Sequence, residues 1–281
     1  MITVDGKVVS GWFSPRKQET HKGSYGRVLL IAGSKGMGGA ALLSAKATLK
    51  SGVGLVYVNI PEEMFPIVQN GVWEAVLMDR GQPLTGLDSY QAIAIGPGLG
   101  MGTLEGEVIE HIFSGYTGPL VLDADGLNQI ALKGKNSWIR NYPGSVIITP
   151  HIKEAQRLLA VEKEDMGRWS REEIAAKLVE ATSAWVVLKG HGTLIMSPDG
   201  KVAINTTGNP GMATGGTGDV LTGIIAGLLG TGLPPWQASV AGVYIHGMAG
   251  DLAAARHGMI SMTATDLLDN LSAAFIQMEQ E

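Results

Sequence analysis

The sequence contains no cysteine, and only 17% of its 281 residues are charged. Without cysteine, disulfide scaffolds, cysteine-based zinc sites and thiol nucleophiles are excluded. The net charge of −5 argues against a general nucleic-acid binder, because such proteins usually carry a basic balance or a basic patch. The N-terminus lacks the apolar segment of a signal peptide, and no apolar run reaches the ~18 residues of a membrane helix. We therefore expect a cytoplasmic protein with no nucleic-acid partner and no membrane partner.

Glycine, by contrast, is abundant: the chain has 40 glycines, about twice ordinary usage. The glycines show no repeat period, which excludes a collagen-like chain, and they cluster at the ends of apolar runs. Hydrophobic residues make up 45% of the chain, so we expect a substantial core. This combination is typical of an α/β protein whose strand-to-helix turns form a ligand site.

Apolar runs of strand length alternate with helical patterns along the chain. The predicted strands are residues 27–32, 55–60, 92–95, 120–123, 146–149 and 185–188, followed by a β-hairpin over 194–197 and 201–204. The predicted helices are residues 41–51, 104–113, 154–159 and 171–184, and most of the chain from residue 220 onward. This alternation predicts one α/β domain over residues 1–281 with a mostly parallel sheet. Residues 1–22 are expected to form an irregular N-terminal arm, and residues 61–90 a weakly patterned excursion with a strand.

A glycine-rich turn over residues 209–219 leads into the apolar run 220–229. Gly215, Gly216 and Gly218 allow positive φ and a close approach of the backbone to a ligand. The free N–H groups and the dipole of the following helix favour phosphate at this turn. Asp219 in the first helical turn can then take a proton from a hydroxyl that attacks a phosphoryl group. Asp219 alone would indicate only a stabilised helix start, but the three glycines before it favour a site.

Five of the predicted strands end in glycine-rich or polar segments. These segments are residues 33–40, 96–100, 123–128, 149–154 and 189–193. Because ligands bind at the carboxyl ends of the strands in an open α/β sheet, we expect these segments along one edge, joined by the turn before Asp219. Their convergence predicts an enzyme.

The same segments carry a family resemblance. Gly-Pro-Gly-Leu-Gly at 96–100, Asp-Ala-Asp-Gly-Leu-Asn at 123–128, Thr-Pro-His-Ile-Lys-Glu at 149–154, and segments 189–193 and 209–219 resemble the motifs of the ADP/ATP-dependent NAD(P)H-hydrate dehydratases. The motifs are specific as an ordered set, and the resemblance extends from about residue 23 to the end. It implies the ribokinase-like three-layer αβα fold with a central, mostly parallel sheet. The family is often fused to an N-terminal NAD(P)H-hydrate epimerase domain. This sequence is too short to include that domain, so we expect the stand-alone form, working with a separate epimerase.

The activity implied by this resemblance is repair of the nicotinamide cofactor. The S-form of NAD(P)H hydrate would be dehydrated to NAD(P)H at the expense of ADP or ATP, giving AMP or ADP and phosphate. The ring hydroxyl is phosphorylated first, because phosphate is a far better leaving group than hydroxide. Mg²⁺ is expected for moving a phosphoryl group, and the resemblance also implies a homotetramer. The sequence leaves open the choice between ADP and ATP and between NADH hydrate and NADPH hydrate.

The resemblance also assigns roles to individual residues. Asp219 is the expected catalytic base, with Gly216 and Gly218 as N–H donors to the phosphoryl group. The residues expected around the hydrate are Ala40, Gly98, Gly100, His151 and Asp219. The residues expected around the nucleotide are Lys189, Gly190, His191, Gly192, Thr193 and Gly218. Glu154 is expected to hold Mg²⁺ through water.

Simpler interpretations remain open for several of these residues. His151 could only cap the next helix, and Glu154 could only be matched to that helix's dipole. Asp123 and Asp125 could be turn formers, and the resemblance leaves their roles unassigned. Two other functions also remain open: a ribokinase-like kinase of a hydroxymethylpyrimidine or hydroxyethylthiazole vitamin precursor, and a non-catalytic nucleotide-binding protein.

Overall fold

The computed structural model describes residues 2–280, and these contain ten β-strands that pair into one sheet. In chain order the strands are β1 (Ile2–Thr3), β2 (Arg27–Ile31), β3 (Leu55–Ile60), β4 (Val76–Asp79), β5 (Ala92–Ile95), β6 (Leu120–Leu122), β7 (Val146–Ile148), β8 (Trp185–Leu188), β9 (Leu194–Met196) and β10 (Val202–Ile204). The six strands predicted from apolar runs and the hairpin are all present, with bounds that differ by at most one residue. The strand expected within residues 61–90 is β4.

Twelve α-helices connect and cover these strands in residues 2–280. They are α1 (Gly6–Ser10), α2 (Gly38–Lys50), α3 (Phe65–Gly71), α4 (Thr103–Gly115), α5 (Ala124–Leu132), α6 (Asn136–Arg140), α7 (Ile152–Leu159), α8 (Lys163–Met166), α9 (Arg171–Thr182), α10 (Thr217–Gly230), α11 (Pro235–Ser261) and α12 (Ala264–Gln280). Among the helices of these residues, none combines the length and the apolar character needed to cross a bilayer.

The sheet has the strand order β1-β10-β9-β8-β7-β6-β5-β2-β3-β4. All neighbouring strands are parallel except β9, which is antiparallel to both β8 and β10. The predicted mostly parallel sheet is therefore confirmed. The antiparallel pairing of β8 with β9 follows from their short connection, residues 189–193, since a parallel crossover needs a dozen or more residues.

Helices lie on both faces of the sheet and form a separate core on each. Val28 and Leu30 of β2 point into a core shared with α2, α10, α11 and α12. Leu29 and Ile31 point into the opposite core, which includes α4, α5, α7 and α9. Successive side chains of a strand alternate between faces, so a strand that is apolar throughout requires this double cover. The predicted three-layer αβα arrangement is thus confirmed.

Helix α10 is the most deeply buried helix, and its packing on α2 determines where its N-terminus lies. Every residue from Val220 to Gly230 is buried, as expected for a helix that is apolar on all sides. The hydroxyls of Ser44 and Thr48 on α2 donate to the Asp219 and Gly223 carbonyls, at 3.1 and 3.0 Å. A side chain at Gly223 would collide with the Ser44 carbonyl, so glycine permits this close approach.

The N-terminal segment is more regular than its sequence pattern predicts. Ile2–Thr3 pairs with β10, and residues 6–10 form α1, which packs against α11 and α12. The prediction of an irregular segment is therefore wrong for residues 2–10. Two residues carry too little periodicity to indicate a strand, so only their pairing with β10 reveals it.

Candidate active site

The five candidate segments lie side by side at one edge of the sheet. They follow β2, β5, β6, β7 and β8, and these strands are consecutive neighbours in the order β8-β7-β6-β5-β2. All five strands are parallel, so their carboxyl ends share one edge. The convergence expected from the sequence is therefore confirmed.

The turns after β2 and β5 are joined to each other. The Ser34 hydroxyl donates to the Gly98 carbonyl at 2.9 Å. Gly98 has a φ of 56°, and a side chain there would lie 2.8 Å from the Cβ of Ala40. The Gly100 N–H donates to Asp125 at 2.9 Å, which ties the same turn to α5. The structure therefore brings together Ala40, Gly98 and Gly100, three of the residues expected around the hydrate.

Arg80 ties together the ends of three strands beneath these turns, and sequence reasoning did not identify it. Its guanidinium donates to the carbonyls of Ala32, Gly33 and Asn59, each at 2.8 Å. Burial lowers the pKa of Arg80 to about 10 despite the neighbouring Glu105 carboxylate. Arg80 is therefore still charged at neutral pH. A single arginine after a strand carries no local signal of such a role.

The turn before α10 is the predicted anion cradle, but only one of its three glycines has positive φ. Gly216 caps the helix with a φ of 93°, and a side chain there would lie 2.5 Å from Leu43 Cδ1. Gly215 and Gly218 lie outside the positive region, which corrects the expectation that all three adopt it. A Cβ at Gly215 would meet no atom within 4 Å, and one at Gly218 would lie 3.5 Å from Lys189 Nζ. The space above these two glycines is therefore open to a ligand.

The first turn of α10 leaves backbone donors free in this open space. The first intrahelical bond runs from the Val220 N–H to the Gly216 carbonyl, so the N–H groups of residues 217–219 have no partner within the helix. His246 of α11 is half-buried and supports this turn, with its Nε2 at 2.9 Å from the Thr217 carbonyl. Burial lowers the pKa of His246 to about 4, so the ring is neutral and donates from Nε2. The free donors and the helix dipole together favour an anion.

Lys189 extends into the cradle and is held there by Asp123. Its Nζ lies 2.6 Å from Asp123 Oδ1, and the Thr222 hydroxyl donates to Asp123 Oδ2 at 2.7 Å. Burial alone would lower the pKa of Lys189, but the Asp123 and Glu154 carboxylates more than offset it, so the pKa is raised. Lys189 is therefore a fixed positive charge. Asp123, which the sequence left unassigned, positions that charge.

The side chain of Asp219 differs from the other carboxyl groups of this cluster because no neighbouring side chain or backbone group of the described residues binds it. Among residues 2–280, its side chain makes no hydrogen bond and no ion pair. Burial, together with the negative charge of Asp123, raises the pKa of Asp219 to about 7, although the Lys189 charge acts in the opposite direction. A free carboxyl group with a pKa near neutral pH, beside an anion cradle, is suited to general base catalysis.

His151 and Glu154 form a reciprocal cap at the start of α7. The His151 Nδ1 accepts from the N–H groups of Lys153 and Glu154, and Glu154 Oε2 accepts from the His151 N–H at 2.8 Å. Burial lowers the pKa of His151, with a further contribution from the Lys189 charge, so its ring is neutral at neutral pH. The capping interpretation of His151 is thus confirmed, and its ring remains half-exposed at the sheet edge.

The geometry does not favour Glu154 as a direct metal ligand. Its Oε2 is bonded to the His151 N–H and lies 3.8 Å from Lys189 Nζ, while its Oε1 lies 3.3 Å from His151 Nε2. Burial raises the pKa of Glu154, which also opposes its charged form. Within residues 2–280, no group of three or more acidic or histidine side chains could hold a metal. These residues therefore do not fit a Mg²⁺ ion held by the protein alone.

The segment 189–193 forms a tight turn between β8 and β9 at the same edge. Gly190 and Gly192 have positive φ, and a side chain at Gly190 would lie 2.5 Å from Arg171 Nη1. Arg171 donates to the Leu188 carbonyl at 2.7 Å and so anchors the turn from α9. Thr193 closes the turn through its hydroxyl to the Gly190 carbonyl at 3.0 Å, while His191 is exposed. Lys189 connects this turn to the cradle at Gly218.

Known proteins resemble this chain over nearly its whole length. The family model for NAD(P)H-hydrate dehydratase matches residues 28–273. The chain is 35% identical to the ADP-dependent (S)-NAD(P)H-hydrate dehydratase of Bacillus subtilis, over 94% of each sequence. It is 41% identical to a bifunctional NAD(P)H-hydrate repair enzyme of Moorella thermoacetica, covering 95% of this chain and 52% of that protein. The chain thus spans about half the length of the bifunctional relatives.

The fold comparison gives the same result. The crystal structure of ADP/ATP-dependent NAD(P)H-hydrate dehydratase from Bacillus subtilis, co-crystallised with ATP and Mg²⁺, superimposes with a TM-score of 0.87 at 33% identity. The match covers 98% of both chains, and the structural neighbours include ribokinase-like proteins. The expected ribokinase-like fold is therefore confirmed, and the chain belongs to the NAD(P)H-hydrate dehydratase family.

Proposed function

We propose that this protein dehydrates the S-form of NAD(P)H hydrate to NAD(P)H at the expense of ADP or ATP. The observation that carries the proposal is the unpartnered carboxyl group of Asp219 on the anion cradle of α10, with Lys189 beside it. This arrangement occurs in a chain that belongs to the dehydratase family. The proposed role is repair, because the hydrate cannot act as a hydride carrier until its water is removed.

The reaction begins with proton transfer to Asp219. The carboxylate takes the proton of the ring hydroxyl, and the hydroxyl oxygen forms a bond to the terminal phosphorus of the nucleotide. The bond from that phosphorus to the leaving oxygen breaks, releasing AMP from ADP or ADP from ATP. The ring carbon–oxygen bond then breaks with its electron pair on phosphate. Loss of a proton from the adjacent ring carbon restores the double bond of NAD(P)H.

The cradle stabilises the charge that develops on the transferring phosphoryl group. The N–H groups of residues 216–219 would donate to its oxygens, and each such donor typically contributes ~10²–10³ in rate. Lys189 would add a positive charge that Asp123 holds in place. Because these groups are already oriented, they need not reorganise when the phosphoryl group moves.

The two substrates would contact different sets of residues around Asp219. The hydrate would lie against Ala40, Gly98, Gly100 and His151. The nucleotide would lie along Lys189–Thr193 with its phosphates at Gly218. Any Mg²⁺ would accompany the nucleotide phosphates, with Glu154 in contact only through water, since Mg²⁺ retains several water ligands in such sites.

One assay distinguishes this function from its alternatives. The purified protein is incubated with NADH hydrate or NADPH hydrate and either ADP or ATP, and the return of NAD(P)H absorbance and the release of AMP or ADP are measured. A parallel reaction offers hydroxymethylpyrimidine or hydroxyethylthiazole with ATP. We expect nucleotide-dependent recovery of NAD(P)H. Phosphorylation of a vitamin alcohol alone would identify a kinase, and nucleotide binding without any turnover would identify a binding protein.

The assembly and the cellular context are part of the same proposal. We propose a cytoplasmic homotetramer, because large apolar side chains remain exposed at Ile67, Trp73 and Ile276 and such surfaces commonly mark interfaces. We further propose that a separate epimerase converts the opposite epimer of the hydrate, as part of the repair for which the bifunctional relatives are named.

A further inference from the structure

A cavity lies beside the candidate active site, between α7 and α8. Its volume is about 520 Å³, and its walls include Ile152 and Met166 together with Lys153, Arg157 and Lys163. We call the surface formed by Lys153, Arg157 and Lys163 the cationic groove. Its volume is within the range of small-molecule sites, which is ~300–1,000 Å³.

The walls of the cavity contain three cationic side chains and no acidic one. Within residues 2–280, none of the three cations forms an ion pair. Glu162 and Glu164 flank Lys163 in the sequence, but neither lines the cavity or pairs with Lys163 within residues 2–280. Glu154 is buried towards Lys189, and Asp165 pairs with Arg168 at 3.3 Å. The groove therefore favours an anionic ligand.

The cationic groove is continuous with the candidate substrate site on one side. Ile152 and Lys153 directly follow His151, and the Lys153 N–H donates to His151 Nδ1 at 3.0 Å. The groove thus begins one residue beyond a side chain expected to touch the hydrate.

A second connection runs through α5. Arg157 Nη1 donates to Asn128 Oδ1 at 2.8 Å, and the Asn128 amide donates to Asp125 Oδ1 at 3.4 Å. The other oxygen of Asp125 accepts from the Gly100 N–H at 2.9 Å. These hydrogen bonds connect Arg157 to the turn at Gly100, so one side of the groove has a fixed position relative to the candidate substrate site.

We propose that the cationic groove binds a phosphate group of the dinucleotide substrate and so positions its adenosine half. This inference rests on the proposed function. A nicotinamide dinucleotide carries a pyrophosphate, and its phosphorylated form also carries a ribose phosphate. The guanidinium of Arg157 suits either phosphate because it can donate two parallel hydrogen bonds. The apolar walls at Ile152 and Met166 would contact the sugar or the base.

The test is the double variant Lys153→Gln/Lys163→Gln, which removes two charges and keeps Arg157 with its bond to Asn128. We expect the KM for the hydrate to rise about tenfold, equivalent to ~1.4 kcal/mol, with a smaller change in kcat and no change in the KM for ADP. The rise of KM with added salt should also be weaker than in the wild type, because screening acts on the removed charges. The matched control is Lys7→Gln/Lys46→Gln, which removes two exposed charges from elements that pack in the opposite core.

The two hydrates distinguish the two sources of phosphate. A KM that rises only for NADPH hydrate supports the ribose phosphate as the ligand, and an equal rise for both hydrates supports the pyrophosphate. An unchanged KM for both hydrates, an equal rise in the control variant, or a rise only in the KM for ADP would overturn the proposal. The wild type is assayed first. A wild type without turnover would overturn the proposed function itself. If the wild type is active, a negative result with the double variant overturns only the proposal for the cationic groove.

Discussion

At the scale of single residues, the chemistry depends on how Asp123, Lys189 and Asp219 divide the charge of one small space. Asp123 binds Lys189 and the Thr222 hydroxyl, so both of its oxygens are occupied. The negative charge of Asp123 raises the pKa of Asp219, and the Asp219 side chain accepts no hydrogen bond within residues 2–280. One carboxylate is therefore structural and the other is free to accept a proton.

The free carboxyl group leads to a prediction about pH. As a general base, Asp219 must be deprotonated, and its pKa is raised to about 7. The kcat/KM should therefore increase with pH through about 7 and become constant above it. Asp219→Asn should lower kcat by ~10²–10⁴ and leave nucleotide binding nearly intact, as measured by steady-state kinetics and calorimetric titration with ADP.

The control for this prediction is Asp269→Asn, which removes an exposed carboxylate from α12. It should retain the wild-type rate and pH profile. If Asp219→Asn keeps its turnover within ~10-fold of the wild type, the assignment of the base is wrong.

At the scale of elements, two glycines at the N-terminus of α10 have different purposes. Gly216 is required by the fold, because its φ is 93° and a side chain would lie 2.5 Å from Leu43 Cδ1. Gly218 has an ordinary backbone conformation and only ordinary contacts for a Cβ, so the protein's own packing does not require glycine there. The absence of a side chain at Gly218 leaves room for a ligand.

The two glycines should therefore respond differently to substitution by alanine. Gly216→Ala should lower the free energy of unfolding by ~1–3 kcal/mol, since it combines backbone strain with a clash. Gly218→Ala should leave the melting temperature equal or higher, because alanine is favoured over glycine in a helix by ~0.8–1 kcal/mol, but should reduce kcat/KM. Thermal denaturation and the dehydratase assay measure both effects. A Gly218→Ala enzyme with full activity would contradict a phosphoryl group bound against this backbone.

The ends of β2 and β3 depend on Arg80, which follows β4. Arg80→Ala should remove the charged donor of three buried carbonyls, of which that of Asn59 still accepts from the Ala32 N–H at 3.4 Å. Each group left unsatisfied costs ~1–3 kcal/mol. We expect the melting temperature to fall by roughly 10 °C, given ~2–4 °C per kcal/mol for domains of somewhat smaller size. The control Arg256→Ala removes an exposed arginine from α11 and should change stability by no more than ~0.5 kcal/mol. Equal melting curves for the two variants would show that the buried bonds of Arg80 add nothing to stability.

At the scale of the whole molecule, helices cover both faces of the sheet. The loops that follow five of the strands meet at one edge, which is the ligand edge. Exposed apolar side chains also occur away from this edge, and they include Trp73, which precedes β4 and is 80% exposed. Such surfaces are unfavourable in water unless another chain covers them. We therefore expect light scattering to give a mass near four times the 29.5 kDa of one chain. A mass of one chain at all concentrations would contradict the proposed tetramer.

The sequence by itself determined the strands, the class of fold and the family. Buried strands such as β2 and β5 are continuous apolar runs, and their turns carry glycine, so local composition was sufficient to find them. Asp219 was also found locally, because the glycines that precede it form a pattern with a physical meaning. Strand β1 and helix α5 (Ala124–Leu132) were missed, because their structure depends on pairing and packing with distant segments.

Only the tertiary structure decided which charged groups work together. Asp123 and Lys189 are 66 positions apart, and Thr222 is 99 positions from Asp123, so no local pattern could reveal their bonds. The contacts of Arg80 and the assignment of positive φ to Gly216 alone were decided in the same way. The physical reason is that periodicity and turn propensity act between neighbours in the chain, whereas hydrogen bonds and charges act between neighbours in space.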